Sequence, residues 1–279
     1  MIERYVSHTP VTDPGQNLHL LESLPDSVEQ IVKAVHGLFL HIFWASSYQV
    51  MPNEAQRLHV HTRTVSRILD AIVHLDSRPL MLRRSLEKRF YGNCRDFAVF
   101  LCAALRAKQI PARARCGFAT YLRPGKFEDH WVCEYYTEGR WLSVDAQLDD
   151  IQRAKLRISF EPLDIPPGLF LNGAEAWLSC RKHAQDPEHF GIFQMSGLWF
   201  VRSNLMRDAA SLNGHELLPW DRWGLAALEE HEMSDEDYDL LDTLANLVVS
   251  ESTDLYAVYS SASLLAVPPE YDTQVYKKP

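Results

Sequence analysis

The sequence contains few cysteines and no Cys-x-x-Cys pair. Its five cysteines are Cys94, Cys102, Cys116, Cys133 and Cys180. An odd number without paired spacing argues against a disulfide framework and against a cysteine zinc site. We therefore expect a protein of a reducing compartment, with no metal ion and no other cofactor.

Two further absences narrow the range of partners. No stretch approaches the ~20 apolar residues of a membrane-spanning helix, and the first residues lack the basic and then apolar pattern of a signal peptide. No basic patch has the character of a nucleic-acid footprint. These absences predict a cytoplasmic protein that binds neither membrane nor nucleic acid.

The net charge of −9 is concentrated at the carboxyl end. Residues 226–279 contain 12 acidic and 2 basic residues, whereas the preceding part of the chain contains 25 and 26. Ser234-Asp235-Glu236-Asp237 predicts a helix start with acids in its first turn. This acidic segment either covers the rest of the protein, forms a dimer contact that makes a homo-oligomer, or remains mobile.

Helical spacing follows an N-terminal arm. Residues 1–22 show no clear period and contain the turn signature Asp13-Pro14-Gly15, so we expect an extended or loosely packed arm. From Pro25 onward apolar residues recur at helical spacing, and the apolar run continues through Trp44. The pattern predicts a core helix over this stretch.

A second helix is predicted from Asn53. The run Asn53-Glu54-Ala55-Gln56 has the form of a capping box, and Ser77-Arg78-Pro79 ends the helix. His59 and His61 lie within it, but residues two apart on a helix point about 200° away from each other. We therefore expect no shared metal ion, and we interpret both histidines as packed or solvent-facing.

The chemistry centres on Gly92-Asn93-Cys94, a polar turn before a helix that runs to about Lys108. A thiol in the first turn faces unpaired backbone N–H groups and the positive end of the helix dipole. That setting lowers a thiol pKa from ~8.5 and makes the sulfur nucleophilic near neutral pH. Cys94 is therefore predicted to be a catalytic nucleophile.

Three strands follow this helix. They are predicted at 111–121, 130–136 and 141–145, and a two-residue turn at Glu138 and Gly139 would join the last two. In that register, facing positions sum to 277, so Asp145 lies opposite Val132 and on the same face as His130. Diagonal neighbours on a sheet have Cβ atoms within ~7 to 8 Å of each other. At that separation the side chains of His130 and Asp145 are long enough to form a hydrogen bond.

A thiol, a histidine and an aspartate are the parts that nucleophilic acyl transfer requires. His130 would take the proton of Cys94 and later protonate the leaving amine, while Asp145 would hold the imidazole tautomer. The backbone N–H of Cys94 is the natural first oxyanion donor. Candidates for the second donor are Asn93, Tyr91 and Trp44, and the aromatic Trp131 beside His130 is expected to line the cleft.

These residues resemble the core of the transglutaminase-like superfamily, which includes transglutaminases, peptide N-glycanases and many bacterial candidate cysteine peptidases. The resemblance covers roughly residues 85–150 and rests on four runs of residues. They are Gly92-x-Cys94-x-x-Phe97-Ala98, Leu105-Arg106-Ala107 to Ile110-Pro111-Ala112-Arg113, Asp129-His130-x-x-x-Glu134-Tyr135, and Arg140-Trp141-x-x-x-Asp145.

The resemblance implies an α+β fold of papain-like and transglutaminase-like type. In it the nucleophile helix packs on an antiparallel sheet, with helical additions before and after this core. It also implies Cys94 as nucleophile, His130 as base and Asp145 as its partner. The sequence departs from the transglutaminases proper at Arg95, where they have an aromatic residue, and it lacks the zinc-binding cysteine pairs of the N-glycanases.

The predicted organisation is an arm at 1–22, a catalytic domain at 23–225 and an acidic helical segment with a tail at 226–279. Within the second half, residues 156–160 indicate a short strand, and residues 172–182 and 205–212 indicate helices. Trp199, Trp220 and Trp223 would form either a second core cluster or a wall of the cleft.

We interpret the chain as a bacterial-type thiol enzyme that attacks a carboxamide or peptide carbonyl and forms a thioester. Its substrate would be a peptide, a protein or a small amide. Water as acceptor would make it a peptidase, amidase or deamidase, which is slightly favoured, and an amine would make it an acyltransferase. The alternative is an idle fold of this type that serves as a binding or scaffold protein.

Overall fold

Residues 2–271 are described by the structure, a computed structural model, and they form two units. Of the described residues, the first unit contains those up to Ala114 and Val132–Ile165, and the second contains Arg115–Trp131 and those from Pro166 to Tyr271. Helices and strands are both present, so the predicted α+β class is confirmed. Met1 of the predicted arm and residues 272–279 of the predicted acidic tail lie outside the described residues.

In the first unit, short 3₁₀ segments connect the regular elements. The helices are α1 (Leu18–Glu22), α2 (Val28–Leu38), α3 (Glu54–Arg57), α4 (Val65–Leu75), α5 (Cys94–Ala107) and α6 (Asp150–Leu156). The strands are β1 (Phe39–His41), β2 (Phe90–Gly92), β3 (Ala112–Ala119), β4 (Phe127–Thr137) and β5 (Arg140–Val144). β3 and β4 each contribute residues to both units.

The remaining elements belong to the second unit. Its strands are β6 (Phe170–Asn172), β7 (Phe190–Ile192) and β8 (Met195–Ser196). Its helices are α7 (Gly173–Arg181), α8 (Leu198–Leu212), α9 (Gly224–Ala227), α10 (Asp235–Val249) and α11 (Leu255–Ser261).

The N-terminal residues are held more firmly than an extended arm would be. They form two 3₁₀ turns and α1, and Leu21 is buried. Thr12 is also buried, and its hydroxyl accepts a hydrogen bond of 2.7 Å from the Arg106 guanidinium of α5. The expectation of an extended or loosely packed arm was therefore wrong in conformation, because a buried arginine needs acceptors that this segment supplies.

The first predicted helix is shorter than the apolar run. α2 begins after Ser27, whose side chain accepts from the Gln30 N–H, and it ends at Leu38. Phe39–His41 then pairs in parallel with Phe90–Gly92, and Ile42–Tyr48 is a 3₁₀ helix. The sequence pattern could not show this end, because the competing strand partner lies about fifty residues further along the chain.

The capping box at Asn53 is present, but the helix it starts is brief. Asn53 and Gln56 exchange both hydrogen bonds of the box, at 2.9 Å each. α3 ends at Arg57, and α4 starts anew after Thr64, whose hydroxyl accepts from the Arg67 N–H. Thr64 is a second N-cap that the apolar periodicity alone did not separate from the first.

α5 has the length and position that its periodicity predicts, and it is buried over nearly its whole length. Phe39 of β1 packs on it, with ring centroids 5.1 Å from Phe97 and 4.9 Å from Phe100. Cys102 of α5 and Cys133 of β4 have their sulfur atoms 3.2 Å apart. The helix that begins at Cys94 therefore packs on the sheet, as the resemblance implied.

The β4–β5 hairpin has the predicted register. The residue pairs run from Thr137 and Arg140 to Cys133 and Val144, so facing positions sum to 277. Glu138 and Gly139 form the two-residue turn, with φ of 48° and 83°. Positive φ at both positions is the type I′ geometry that matches the twist of two antiparallel strands.

Gly139→Ala is expected to destabilise this hairpin by about 1–2 kcal/mol, because a Cβ is strained in the left-handed region. The space around Gly139 is open, so a steric clash contributes nothing. Gly139→Asn is the matched control, since asparagine tolerates positive φ and should cost less. Urea unfolding monitored by circular dichroism measures both variants, and equal losses for the two would contradict a conformational cause.

The sheet is antiparallel only in part, which corrects the expected antiparallel sheet. In the second unit the order is β6, β3, β4, β7 and β8. β3 pairs antiparallel with β6 and β7 pairs antiparallel with β8, but β4 pairs in parallel with β7. A parallel neighbour needs a long crossover, and here the chain between Thr137 and Phe190 supplies it.

The strand predicted at residues 156–160 is wrong. The chain forms α6 up to Leu156, and Arg157 then adopts a left-handed conformation with φ of 55°. Asp149 starts α6 by accepting from the N–H groups of Ile151 and Gln152 at 3.1 Å. An aspartate before a short polar helix is a cap signal that the apolar pattern did not include.

α8 carries the polar core of the second unit. Arg115 of β3 forms two hydrogen bonds to Asp208, at 2.9 and 2.8 Å, and Asp208 also accepts from the Cys116 N–H at 3.0 Å. Both side chains of this ion pair are buried. The predicted helices at 172–182, 205–212 and after Ser234 are confirmed as α7, α8 and α10.

Among residues 2–271, no helix combines the length and the apolar character needed to cross a membrane.

Candidate active site

Cys94 is the first residue of α5, and a capping box forms the start of this helix. Asn93 accepts from the Asp96 N–H at 3.3 Å, and the Asp96 carboxylate accepts from the Asn93 N–H at 2.9 Å. Such a capping box stops fraying, so the thiol is held in a defined first turn. The spacing of Asn93 and Asp96, on either side of Cys94, is the sequence pattern of a capping box. The apolar periodicity that predicted the helix did not include it.

Arg95, which departs from the transglutaminase pattern, is buried and faces the protein interior. Its guanidinium donates to the carbonyls of Thr62 and Arg63 at 3.2 and 2.6 Å, and to the Asp96 carboxylate at 3.1 Å. Burial raises the pKa of Asp96 to about 6, and the charge of Arg95 opposes that rise. Arg95 thus ties the loop before α4 to the start of the nucleophile helix.

Three of the other cysteines, Cys116, Cys133 and Cys180, lie in settings that disfavour a thiolate. Cys94 is 8% exposed, whereas Cys102, Cys116 and Cys133 are fully buried. Burial raises the pKa of Cys116 and Cys133, and it raises the pKa of Cys180 to about 12. Buried thiols of raised pKa are inert towards electrophiles, so these three cysteines are poor nucleophiles.

His130 is a buried residue in the part of β4 that belongs to the second unit. The Tyr121 ring meets the imidazole edge-on, with centroids 6.1 Å apart. Glu128 shares a strand face with His130, since alternate residues of a strand point the same way. Asp129 lies between them in sequence and points to the other face.

Asp145 follows the last paired residue of β5 and belongs to the first unit, as Cys94 does. It is buried, its N–H donates to the Pro162 carbonyl at 2.9 Å, and its Oδ1 accepts from the Gln147 N–H at 3.0 Å. The carboxylate is therefore oriented by its own turn. Each of the three predicted triad residues occupies the helix start, strand or strand end that the sequence indicated.

The candidates for the second oxyanion donor differ in how their side chains are engaged. The Asn93 side chain caps α5, and its amide also donates to the Val60 carbonyl at 3.4 Å. The Tyr91 hydroxyl donates to the Leu86 carbonyl at 3.3 Å. Trp44 is half-buried in the 3₁₀ helix after β1, where it packs against the cluster that contains Tyr91.

Trp131 is buried, and its indole Nε1 has no hydrogen-bond partner among the described residues. As a strand neighbour of His130 it points to the opposite face of β4. Its predicted place in the cleft remains a prediction.

His59 packs as a structural residue. Its ring stacks on Phe90 with centroids 4.6 Å apart, and its Nδ1 accepts from the Tyr91 N–H at 3.2 Å. Burial lowers the pKa of His59. Within the described range, no group of three His, Cys, Asp or Glu side chains is arranged to hold a metal ion.

A cavity of about 190 Å³ opens in the second unit beside Glu128, near the start of β4. Its wall includes Arg123, Lys126 and Glu128 from one side and Phe193 and Met195 from the β7–β8 hairpin. The cavity wall therefore combines charges of both signs with the exposed apolar side chains of Phe193 and Met195.

Part of the chain is similar to a known family. Residues 53–146, which include Cys94, His130 and Asp145, match the model of the transglutaminase-like superfamily, and this confirms the predicted resemblance. A solved structure of a candidate cysteine protease from Cytophaga hutchinsonii is 23% identical, with a TM-score of 0.19. That similarity covers 39% of this chain and 40% of the other. No curated protein matches the chain.

Proposed function

We propose, because residues 53–146 match the transglutaminase-like superfamily, that this protein is a thiol enzyme acting on an amide or peptide carbonyl. The family match supports a thiol-dependent enzyme in general. The observation that carries the finer proposal is the position of Cys94, the first residue of a helix whose start is fixed by a capping box. Cys94, His130 and Asp145 are the proposed nucleophile, base and orienting carboxylate.

In the proposed reaction His130 takes the proton of Cys94, and the sulfur attacks the carbonyl carbon. The oxygen of the tetrahedral intermediate gains the negative charge, which the Cys94 N–H stabilises. Trp44 is the proposed second donor, since the side chains of Asn93 and Tyr91 already bond to other groups. His130 then gives its proton to the leaving nitrogen, the C–N bond breaks, and a thioester remains.

The thioester is resolved by an acceptor that His130 deprotonates. Water yields a carboxylic acid and the free thiol, whereas an amine yields a new amide and the free thiol. We favour hydrolysis, which makes the protein a peptidase, amidase or deamidase. Its substrate is then a peptide, a protein or a small amide. A scaffold protein with an idle site is the competing hypothesis.

Alkylation of the native protein tests the proposal. At pH 6.5 an ordinary thiol of pKa ~8.5 is only about 1% thiolate, so an activated thiol reacts up to about 100-fold faster. We expect iodoacetamide to label Cys94 well before Cys102 and faster than it labels free cysteine, as followed by peptide mass spectrometry. A Cys94 rate no higher than that of free cysteine would refute the proposal and favour the scaffold.

The acceptor is tested with a labelled primary amine and a set of glutamine-containing peptides. Hydrolysis releases ammonia or a peptide fragment without incorporating the label, and Cys94→Ser abolishes that release. Incorporation of the label that requires Cys94 would identify an acyltransferase instead.

A further inference from the structure

Asp129 is a buried carboxylate beside His130 that the proposed reaction does not use. It precedes the histidine on β4 and points to the opposite face of the strand. A buried carboxylate is costly unless other groups pair with it or donate hydrogen bonds to it. Two residues of α8 provide this compensation.

Asn204 of α8 holds the carboxylate directly. Its Nδ2 donates to Asp129 Oδ1 at 2.8 Å and to the Gly117 carbonyl of β3 at 3.1 Å. Asn204 is itself fully buried. One side-chain amide therefore joins α8 to β3 and to the residue before His130.

Arg207, one turn further along α8, sets the orientation of that amide. Its Nη2 donates to Asn204 Oδ1 at 2.6 Å, and its Nη1 donates to the Asp221 carbonyl at 3.3 Å. Because Oδ1 of Asn204 is occupied, the NH₂ group is the one that faces Asp129. Burial raises the pKa of Asp129, whereas the charge of Arg207 and the hydrogen bond from Asn204 favour its ionised form.

The groups around His130 act on its charge unequally. The Tyr121 ring is neutral, and Glu128, on the same strand face, is half-buried and has Arg123 nearby. A positive charge on His130 lowers the pKa of both Glu128 and Asp129, so each carboxylate in turn favours the imidazolium. The effect of Asp129 should be the larger, because water screens a buried charge less.

We propose that Asp129, held by Asn204 and Arg207, is a positioning residue that fixes β4 at His130 and stabilises the protonated imidazole. This inference rests on the proposed function, in which an imidazolium accompanies the Cys94 thiolate. The orienting carboxylate of that proposal is Asp145, so Asp129 would act on the same imidazole in addition to Asp145 and Glu128.

The test is the pKa of His130 itself, measured by NMR titration of its Cε1–H signal. The signal is assigned by its absence in His130→Gln. Asp129→Asn preserves shape and the acceptor oxygen but removes the charge, and it should lower the pKa of His130 by about 0.5 to 1 unit. Glu128→Gln should lower it less, and Ser203→Ala, a neutral change on α8, should leave it unaltered.

A companion measurement follows iodoacetamide labelling of Cys94 at pH 6. The rate should fall about three- to tenfold in Asp129→Asn, which is the fold-change that corresponds to the expected pKa shift. Asn204→Ala serves as a second variant if Asp129→Asn unfolds. It removes the amide donor, favours protonated Asp129 and so lowers the pKa of His130 in the same direction.

An unchanged pKa of His130 in these variants, or equal shifts for Asp129→Asn and Glu128→Gln, would overturn the inference. The failure of the proposed function has a different signature. In that case Cys94 of the unaltered protein reacts no faster than free cysteine, whatever the pKa of His130 does.

Discussion

Replacing His130 by alanine is expected to slow iodoacetamide labelling of Cys94 at pH 6 by about 100-fold. In the proposed triad an imidazolium would keep the sulfur as a thiolate, whereas an ordinary thiol of pKa ~8.5 has less than about 1% thiolate at that pH. The rate should recover as the pH rises towards 9, because the thiol then ionises without help. Labelling is quenched at a series of times, and mass spectrometry of the peptide that contains Cys94 gives the rate at each pH.

The matched control is His231→Ala, which removes an exposed histidine of the same unit. Its labelling profile should be that of the unaltered protein. A His130→Ala profile that coincides with the control at every pH would show that the helix start alone activates Cys94. The histidine would then lose its proposed role as base.

Asp208→Ala is expected to lower the free energy of unfolding by about 3–5 kcal/mol, because it breaks a buried ion pair by removing the carboxylate that balances the Arg115 charge. The carboxylate accepts two hydrogen bonds from Arg115 and one from the Cys116 N–H, and all of these are lost together. Thermal unfolding and urea unfolding both measure the change. The midpoints should fall in parallel by the two methods.

Asp164→Ala is a suitable control because it removes another Arg–Asp pair, one that water surrounds. Arg140 donates to Asp164 at 2.9 Å, and both side chains are about half exposed. Exposed pairs contribute about 0–1 kcal/mol, so this variant should unfold close to the unaltered protein. A double change of Arg115 and Asp208 to leucine should restore part of the lost stability, since neither charge of this pair then remains buried. Equal losses for Asp208→Ala and Asp164→Ala would contradict the role of burial.

Local signals in the sequence predicted much of the first unit. Periodicity and the polar turn at Asn93 located α5 and placed Cys94 at its start, because both are patterns of residues close together in the chain. The two-residue turn at Glu138 and Gly139 determined the register of β4 and β5, because the length of a hairpin turn fixes which residues of the two strands face each other.

The predictions that were wrong concern places where the apolar pattern was overruled by another interaction. The apolar run after Pro25 continues past Leu38, yet the helix stops there because β1 pairs with β2, a partner that only the fold supplies. The strand expected at 156–160 does not form, because Asp149 caps a helix that runs to Leu156. The parallel pairing of β4 with β7 depends on a crossover of about fifty residues, which no local pattern encodes.

The sequence by itself determined the nucleophile helix, the histidine strand and the hairpin that ends at Asp145, since each depends on residues close together in the chain. Only the tertiary structure decided what surrounds them. Arg95 reaches back to the carbonyls of residues 62 and 63, and Asp129 finds its partners about 75 residues away on α8. A buried charge needs a partner of opposite charge or a hydrogen-bonding group, and the fold decides which residue that is. The spacing of residues in the sequence does not indicate it.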